Sequence, residues 1–258
     1  MKHWICQIKP KVLSVLVCCG AVLLSGCASS PDVHYYHLNQ EIDPSELSGY
    51  ELNDADWSLT SESFSAFSAS PHPWVLGRVT LPEYIDRDAL VVRSGKAGLQ
   101  VWAWQKWSEN LGQGVERVLV SDLNRLQTQP QVYGWNTLPA SADAFVWSLQ
   151  LTQWDVQWQE LFEPARAQGR SSVRLAASWT LKRPDALISS DSNQAARAGC
   201  AWHQARGSWE VPLDRLSAQP TQIDRAQAQV QAMRVSLRLL AQRMALDAHQ
   251  WLDSCLDR

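Results

Sequence analysis

The chain contains 258 residues, of which 45% are hydrophobic and 19% are charged, and its formal net charge is −3. This length and apolar content suffice for a hydrophobic core, so they exclude a wholly disordered protein. The charge balance excludes a nucleic-acid-binding surface and a polybasic membrane patch, because both require a local excess of lysine and arginine.

The N-terminal sequence predicts a lipoprotein signal peptide. Three lysines precede an apolar run of thirteen residues. This run is too short to cross a bilayer as a permanent helix. Leu24-Ser25-Gly26-Cys27 follows and resembles a bacterial lipobox, whose cysteine is acylated and becomes the first residue after cleavage. We therefore predict a signal peptide at residues 1–26, diacylglyceryl and palmitate groups on Cys27, and a tether at residues 27–32. The alternative is an ordinary secretory signal cut near Ala28.

Processing changes the charge and the thiols of the chain. Removal of three lysines with the signal leaves 20 basic residues against 26 acidic ones. With Cys27 lipidated, Cys200 and Cys255 are the remaining thiols. An oxidising compartment permits a disulfide between them, which would be worth roughly 4 kcal/mol for a loop of this length. The alternative is two buried thiols that act as small hydrophobic side chains.

Alternating apolar residues predict a sheet. The phase of alternation changes near Thr152–Gln153, which indicates a bulge or a break between two strands. Residues 39–72 are acidic and rich in serine. This composition is typical of a long solvated loop. The predicted strands are 33–38, 74–81, 89–93, 99–104, 145–158, 173–181 and 200–211, with a hairpin between 89–93 and 99–104.

Two amphipathic helices complete the predicted fold. The first follows Ser108, which we expect to be its N-cap, and continues to Leu126. The second begins with a capping-box variant at Thr221 and Asp224 and carries apolar residues at three- and four-residue steps over some thirty positions. We predict a single α/β domain at residues 33–258, with a mixed or antiparallel sheet and two long amphipathic helices packed on one face.

No catalytic or metal-binding motif was found in the sequence. It contains no nucleophile elbow, no zinc-protease His-Glu-x-x-His, no Cys-x-x-Cys and no phosphate-binding loop. His34 and His37 lack a third candidate ligand nearby. We therefore predict a protein that is not an enzyme and that needs no cofactor.

Several separated segments resemble the ABC-type transport auxiliary lipoproteins, and within that family they are most similar to the paraquat-inducible protein C branch. The segments share strand ends, a Tyr-hydrophobic-Asp-Arg turn and a Trp-x-Glu-x-Leu helix start. They are Tyr36-His37-Leu38, Leu76 to Arg87, Leu90-Val91-Val92-Arg93, Trp107-Ser108-Glu109-Asn110-Leu111 and Val118 to Leu123.

This resemblance implies a non-catalytic accessory lipoprotein of an envelope lipid-transport system. The implied partners are a periplasm-spanning protein with MCE domains and its inner-membrane component. Ala28-Ser29 lacks the aspartate that retains many lipoproteins in the inner membrane, so the implied location is the periplasmic face of the outer membrane. An envelope glycan-binding lipoprotein or an unrecognised envelope enzyme is the alternative. Glycan binding would require tryptophans that line a groove.

The resemblance leaves two roles for Tyr84, Arg87 and Trp107. They either brace the turn, or they form a patch that faces the partner, since aromatic residues and arginine dominate binding hot spots.

We also expect a homo-oligomer, a ring by analogy with the rings of MCE proteins, because a short tether confines every copy to one plane and raises their effective concentration. Val235, Leu239 and Leu246 widen the apolar stripe of the last helix, and a wide apolar face usually marks an interface. The alternative is a monomer in which these residues are covered by the chain itself.

The predicted lipid anchor can be tested with a single substitution. We expect Cys27→Ala to lose the membrane association of the wild-type protein, because no acyl chain can be attached. Cell fractionation measures this, and Cys19→Ala, within the signal peptide, is the matched control that should still pellet with membranes. Equal pelleting of Cys27→Ala and wild type would contradict the prediction.

Overall fold

The computed structural model contains ten secondary-structure elements in its described residues. The structure describes residues 31–39, 72–94, 98–126, 131–137, 143–158, 171–184, 200–213 and 220–256. In this part of the chain there are eight strands and two helices. Their bounds are β1 His34–Tyr36, β2 Trp74–Thr80, β3 Ala89–Ser94, β4 Gly98–Trp107, α1 Leu111–Leu126, β5 Val132–Gly134, β6 Phe145–Gln157, β7 Ser172–Lys182, β8 Trp202–Pro212 and α2 Gln222–Leu256.

All eight strands belong to one mixed sheet with β6 at its centre. One edge of β6 pairs with antiparallel β7 along its length, and β7 pairs with antiparallel β8. The other edge carries two parallel strands in succession, β2 and then β3. Beyond them, β5 is parallel to β2, β4 is antiparallel to β3, and β1 is parallel to β4. The predicted α/β class, mixed sheet and two helices are confirmed.

The change of phase in β6 is a bulge within one strand. Pairing with β7 steps from Leu151 to Gln153 and leaves Thr152 as the extra residue. Trp147, Leu151 and Trp154 are consequently all buried in the core cluster, although their positions differ in parity. The bulge therefore keeps the apolar side chains of both halves of β6 in the core.

Gly77 permits the close approach of β2 to β6. A Cβ atom at this position would lie 2.9 Å from the backbone oxygen of Trp147. Backbone cannot move aside as a flexible side chain can, so any larger residue would separate the two strands.

The start of α1 differs from the predicted one. The side-chain oxygen of Asn110 accepts a hydrogen bond from the N–H of Gln113 at 3.1 Å, so Asn110 is the N-cap and the Ser108 prediction is wrong. Glu109 lies before the helix and forms an ion pair with Arg117. Strand β5 was not predicted, because three residues are too few for a period of two to be recognised.

Helix α2 begins at the predicted capping box. The Thr221 hydroxyl accepts from the N–H of Asp224 at 3.2 Å, while Asp224 accepts from the N–H of Thr221 at 2.8 Å. The helix then continues for 35 residues.

The wide apolar face of α2 is covered by its own chain. Val235, Leu239 and Leu246 are 1%, 3% and 8% exposed in a single copy of the protein. The expectation of a homo-oligomer rested in part on these side chains, and their burial removes that argument, while the argument from tethered copies in one plane stays a prediction.

Cys200 and Cys255 form a disulfide that joins the residues before β8 to the end of α2, with their Cα atoms 5.9 Å apart. Trp251, one turn earlier on α2, packs against the rings of Phe145 and His203. The end of the long helix is thus held against the sheet by a covalent bond and by aromatic contacts.

We expect Cys200→Ser with Cys255→Ser to lower the free energy of unfolding by about 2–4 kcal/mol, because the closed loop restricts the unfolded chain. Chemical denaturation with and without a reductant measures this. The reductant should destabilise the wild type and leave the double variant unchanged, and an equal effect on both proteins would contradict the role of the disulfide.

Candidate functional site

The segment that resembles the auxiliary lipoproteins most closely lies where the sheet divides. Residues Leu81–Asp88, here called the junction loop, connect β2 to β3 along one edge of β6. On that edge β2 pairs as far as Gln150, and β3 pairs at Gln157. In the described residues no strand pairs with the interval between them.

The junction loop is a compact turn with a buried base. The N–H groups of Ile85 and Asp86 donate to the backbone oxygen of Pro82 at 3.1 and 3.2 Å. Ile85 is 4% exposed and belongs to the hydrophobic core. Pro82 has no N–H to continue the ladder of β2, which ends at Thr80 shortly before it.

Tyr84 replaces the missing strand at the unpaired part of β6. Its hydroxyl oxygen accepts a hydrogen bond from the backbone N–H of Trp154 at 3.1 Å. The Trp154 indole N–H donates to the hydroxyl of Ser236 at 3.1 Å, which lies on α2. Trp154 therefore links the junction loop, the central strand and the long helix.

Beside Tyr84 lies a buried carboxylate. Asp155 is 2% exposed, forms an ion pair with Arg93 of β3, and accepts a hydrogen bond from the Gln153 side chain at 2.6 Å. Asp155 lies on β6 and Arg93 on β3. The ion pair therefore joins two strands whose backbone pairing consists of a single residue pair, Arg93 with Gln157.

These surroundings keep the Tyr84 phenol neutral. Burial raises its pKa, and the charge of Asp155 adds to that shift, while the N–H of Trp154 and the charge of Arg93 oppose it. A phenol whose pKa lies above its ordinary value of about 10 holds its proton at neutral pH. Tyr84 is accordingly a hydrogen-bonding brace, not an acid or a base.

The separated segments of the predicted resemblance meet at this loop. The N–H of Trp107 donates to the backbone oxygen of Asp88 at 2.7 Å, and the N–H of Ser108 donates to that of Tyr36 at 2.8 Å. Leu81 lies beside Gly112 in the first turn of α1. Residues far apart in the sequence thus form one continuous structure.

A second buried ion pair holds the helices together. The Asp122 carboxylate on α1 accepts two hydrogen bonds from Arg234 on α2, at 2.6 and 2.7 Å, and lies 3.3 Å from Arg238. Asp122 is fully buried and Arg234 is 5% exposed. Burial lowers the pKa of Arg238, and the charge of Asp122 opposes that shift. Removal of Asp122 would take from the buried Arg234 guanidinium the two charge-assisted hydrogen bonds that offset its lost hydration.

The structure places the predicted site residues in different environments. Tyr84 is half-buried, Arg87 is exposed and Trp107 is 7% exposed as part of the core. The predicted partner-facing patch therefore needs correction, because only Arg87 presents its side chain fully to solvent. Cys27 and nearly all of the 39–72 loop lie outside the described residues.

The described residues contain no group of three or more histidine, cysteine, aspartate or glutamate side chains arranged to hold a metal ion. Within the same part of the chain, no helix combines the length and apolarity that a membrane span requires.

Comparison with known proteins decides the family. The model of the ABC-type transport auxiliary lipoprotein component matches residues 57–245. This chain belongs to that family. The match includes the junction loop, both buried ion pairs and most of α2. No curated protein matches the chain.

Solved structures resemble the fold of this auxiliary lipoprotein. A crystal structure of an uncharacterised protein has a TM-score of 0.53 at 11% identity, covering 84% of this chain and 99% of that one. A crystal structure of a Xanthomonas campestris protein assigned to DUF330 has a TM-score of 0.49 at 15% identity, covering 74% of this chain and 91% of that one. The first of these likenesses shows a shared fold and no more.

Sequence reasoning missed the buried charges of the auxiliary lipoprotein. Asp155 stands between Trp154 and Val156 in an apolar strand, and Asp122 stands in the buried stripe of α1. A charged residue inside an apolar pattern was a usable signal, since burial of such a residue requires a partner. The partners, Arg93 and Arg234, are too distant in sequence to be identified from spacing.

We expect Tyr84→Phe to lower the free energy of unfolding by about 1–3 kcal/mol, because the N–H of Trp154 loses its acceptor. Tyr35→Phe is the matched control, since Tyr35 is 65% exposed and should tolerate the change. Urea denaturation of both variants measures the difference. Equal stability of the two variants would show that the hydrogen bond does not brace the loop.

Proposed function

We propose that this auxiliary lipoprotein is a non-catalytic accessory of an MCE-type intermembrane lipid-transport system. In this proposal Cys27 anchors it to the periplasmic face of the outer membrane, where it docks the periplasm-spanning MCE protein that works with an inner-membrane component. The observation that carries the proposal is the family match over residues 57–245.

The chemistry of the junction loop supports docking over catalysis. Asp155 is engaged by Arg93 and Gln153, and Tyr84 holds its proton while it accepts from backbone. General acid–base catalysis needs a group that exchanges a proton near the working pH. These groups are instead committed to the connection between strands.

The exposed part of the junction loop is suited to binding. Glu83, Asp86, Arg87 and Asp88 are exposed and stand on the base formed by Pro82 and buried Ile85. Because the base is fixed, these side chains lose little backbone freedom when a partner binds. We propose that Arg87, the one cation of this group, is the principal contact with the MCE partner.

The tryptophans argue against the glycan-binding alternative. Eight of the twelve tryptophans in the described residues are buried. Trp104, Trp135 and Trp202 are exposed on separate parts of the chain, in β4, after β5 and at the start of β8. Buried indoles fill a core and cannot stack on a sugar ring.

Cross-linking in whole cells followed by affinity capture from envelope extracts tests the proposal. The lipidated wild type should recover an MCE-domain protein, and Arg87→Glu should recover about tenfold less, in the range of a binding hot spot. Arg206→Glu, an exposed arginine of β8, is the matched control and should bind normally.

Density-gradient separation of the two membranes belongs to the same experiment. The wild-type protein should band with the outer membrane. Failure to capture any MCE-domain protein, under conditions that preserve other envelope complexes, would overturn the proposed partner. Banding with the inner membrane would overturn the proposed location alone.

A further inference from the structure

The exposed hydrophobic side chains are concentrated on two paired strands. In the described residues, eight large hydrophobic side chains are exposed, and five of them lie on β4 or in and next to β1. These five are Val33 at 37%, Tyr35 at 65%, Leu99 at 45%, Val101 at 43% and Trp104 at 44%. They are called the β1–β4 face.

The register of the strands places these side chains together. Tyr35 lies opposite Lys106 in the parallel β1–β4 pair. Because side chains alternate along a strand, Val33 shares the side of Tyr35, and Trp104 shares that of Lys106. The neighbouring pair of Tyr36 and Trp107 is buried on the opposite side of the sheet.

The other end of β4 continues the same face across an irregularity in the strand, because pairing with β3 steps from Lys106 to Trp102 between Ala89 and Leu90 and interrupts the regular alternation. Leu99 and Val101 lie opposite Arg93 and Val91 of β3. Leu90 and Trp102, the next pair of the same ladder, are buried. Leu99 and Val101 are exposed, although Val91 beside Val101 is buried, so Leu99 and Val101 lie on the side of β4 opposite to Trp102. The β1–β4 face therefore lies on the side of these strands opposite to the buried Trp102 and Trp107.

The composition of the two strands suits a membrane interface. Strands β1 and β4 contain no acidic residue, and their one formal charge is Lys106. Tyrosine and tryptophan favour the level of the lipid headgroups, where an aromatic ring meets both apolar chains and water. A lysine beside them extends its charge towards the phosphates.

The length of chain between the anchor and the face limits the choice of occupant. Six peptide units separate Cys27 from Val33, which reach at most about 22 Å when fully extended. A folded domain of this size is about 45 Å across on the general scaling of chain length with radius. Acyl chains on Cys27 would therefore hold Val33 and β1 closer to the bilayer than the width of the domain.

We propose that the β1–β4 face lies directly on the phospholipid surface that carries the anchor, with Tyr35 and Trp104 at the level of the headgroups. The bound chemistry is a bilayer surface, not a second copy of the chain or another protein. This inference rests on the lipid anchor of the proposed function, and it adds a defined orientation of the domain on the membrane.

Quenching of tryptophan fluorescence by brominated lipid tests the orientation. The full-length lipidated protein, with acylation verified by mass, is reconstituted into phosphatidylethanolamine–phosphatidylglycerol vesicles with and without brominated acyl chains. Brominated vesicles should quench part of the wild-type emission, and Trp104→Phe should remove most of that quenched part. Addition of excess brominated lipid, which separates the protein copies on the vesicle surface, should leave the quenching unchanged, because the contact is with lipid and not with a second copy.

Trp202→Phe is the matched control. Trp202 is 59% exposed, and its pairing with Lys182 places it at the end of the sheet remote from the β3–β4 hairpin. This variant should retain the full quenched component. An unchanged thermal unfolding midpoint for Trp104→Phe verifies its fold, as expected for an exposed side chain.

Two results would overturn the proposal. Quenching that Trp202→Phe removes and Trp104→Phe retains would place the opposite end of the sheet on the membrane. If brominated lipid does not quench Trp104 at any lipid-to-protein ratio, the β1–β4 face does not contact the bilayer, and a protein contact is the remaining assignment. Because these vesicles contain no other protein, the outcome is independent of whether an MCE partner is captured from extracts.

Discussion

The sheet of this protein depends on the satisfaction of one backbone donor, the N–H of Trp154. Strand β6 is paired along its length on the β7 side, whereas on its other side β2 ends before β3 begins. A buried N–H without an acceptor would cost about 1–3 kcal/mol. The Tyr84 hydroxyl meets that need from the loop that joins the two strands. The same loop therefore connects β2 to β3 and completes the edge that they share.

Two buried ion pairs then fix how the strands and helices pack together. The Arg93–Asp155 pair joins β3 to β6, and the Asp122–Arg234 pair joins α1 to α2. Buried ion pairs of this kind add little net stability compared with apolar residues, because both partners lose their hydration. Their directional geometry nevertheless penalises other packings, since a shifted helix or strand would leave a charge unpaired. We interpret them as determinants of a specific arrangement more than as sources of stability.

This arrangement leaves distinct surfaces for an auxiliary lipoprotein to use. The charged tip of the junction loop stands on a buried base, and an apolar aromatic face is exposed on β1 and β4. The first is suited to a protein partner and the second to a lipid surface. The disulfide joins the end of α2 to the residues before β8, and Ser236 of α2 bonds Trp154 of the central strand, so these contacts close the core.

The sequence by itself determined the local elements, because their causes are local. Alternation at Val173–Leu181, the change of phase near Thr152 and the capping box at Thr221 each depend on neighbouring residues and were predicted, although the change of phase left a bulge and a strand break as alternatives. The lipobox and each separate segment of the family resemblance are likewise short continuous motifs. Tertiary structure decided the rest, because it brings together residues that no spacing relates. It buried Trp107, gave Tyr84 its partner 70 positions away, paired Asp122 with Arg234 across 112 positions, and covered the wide apolar face of α2.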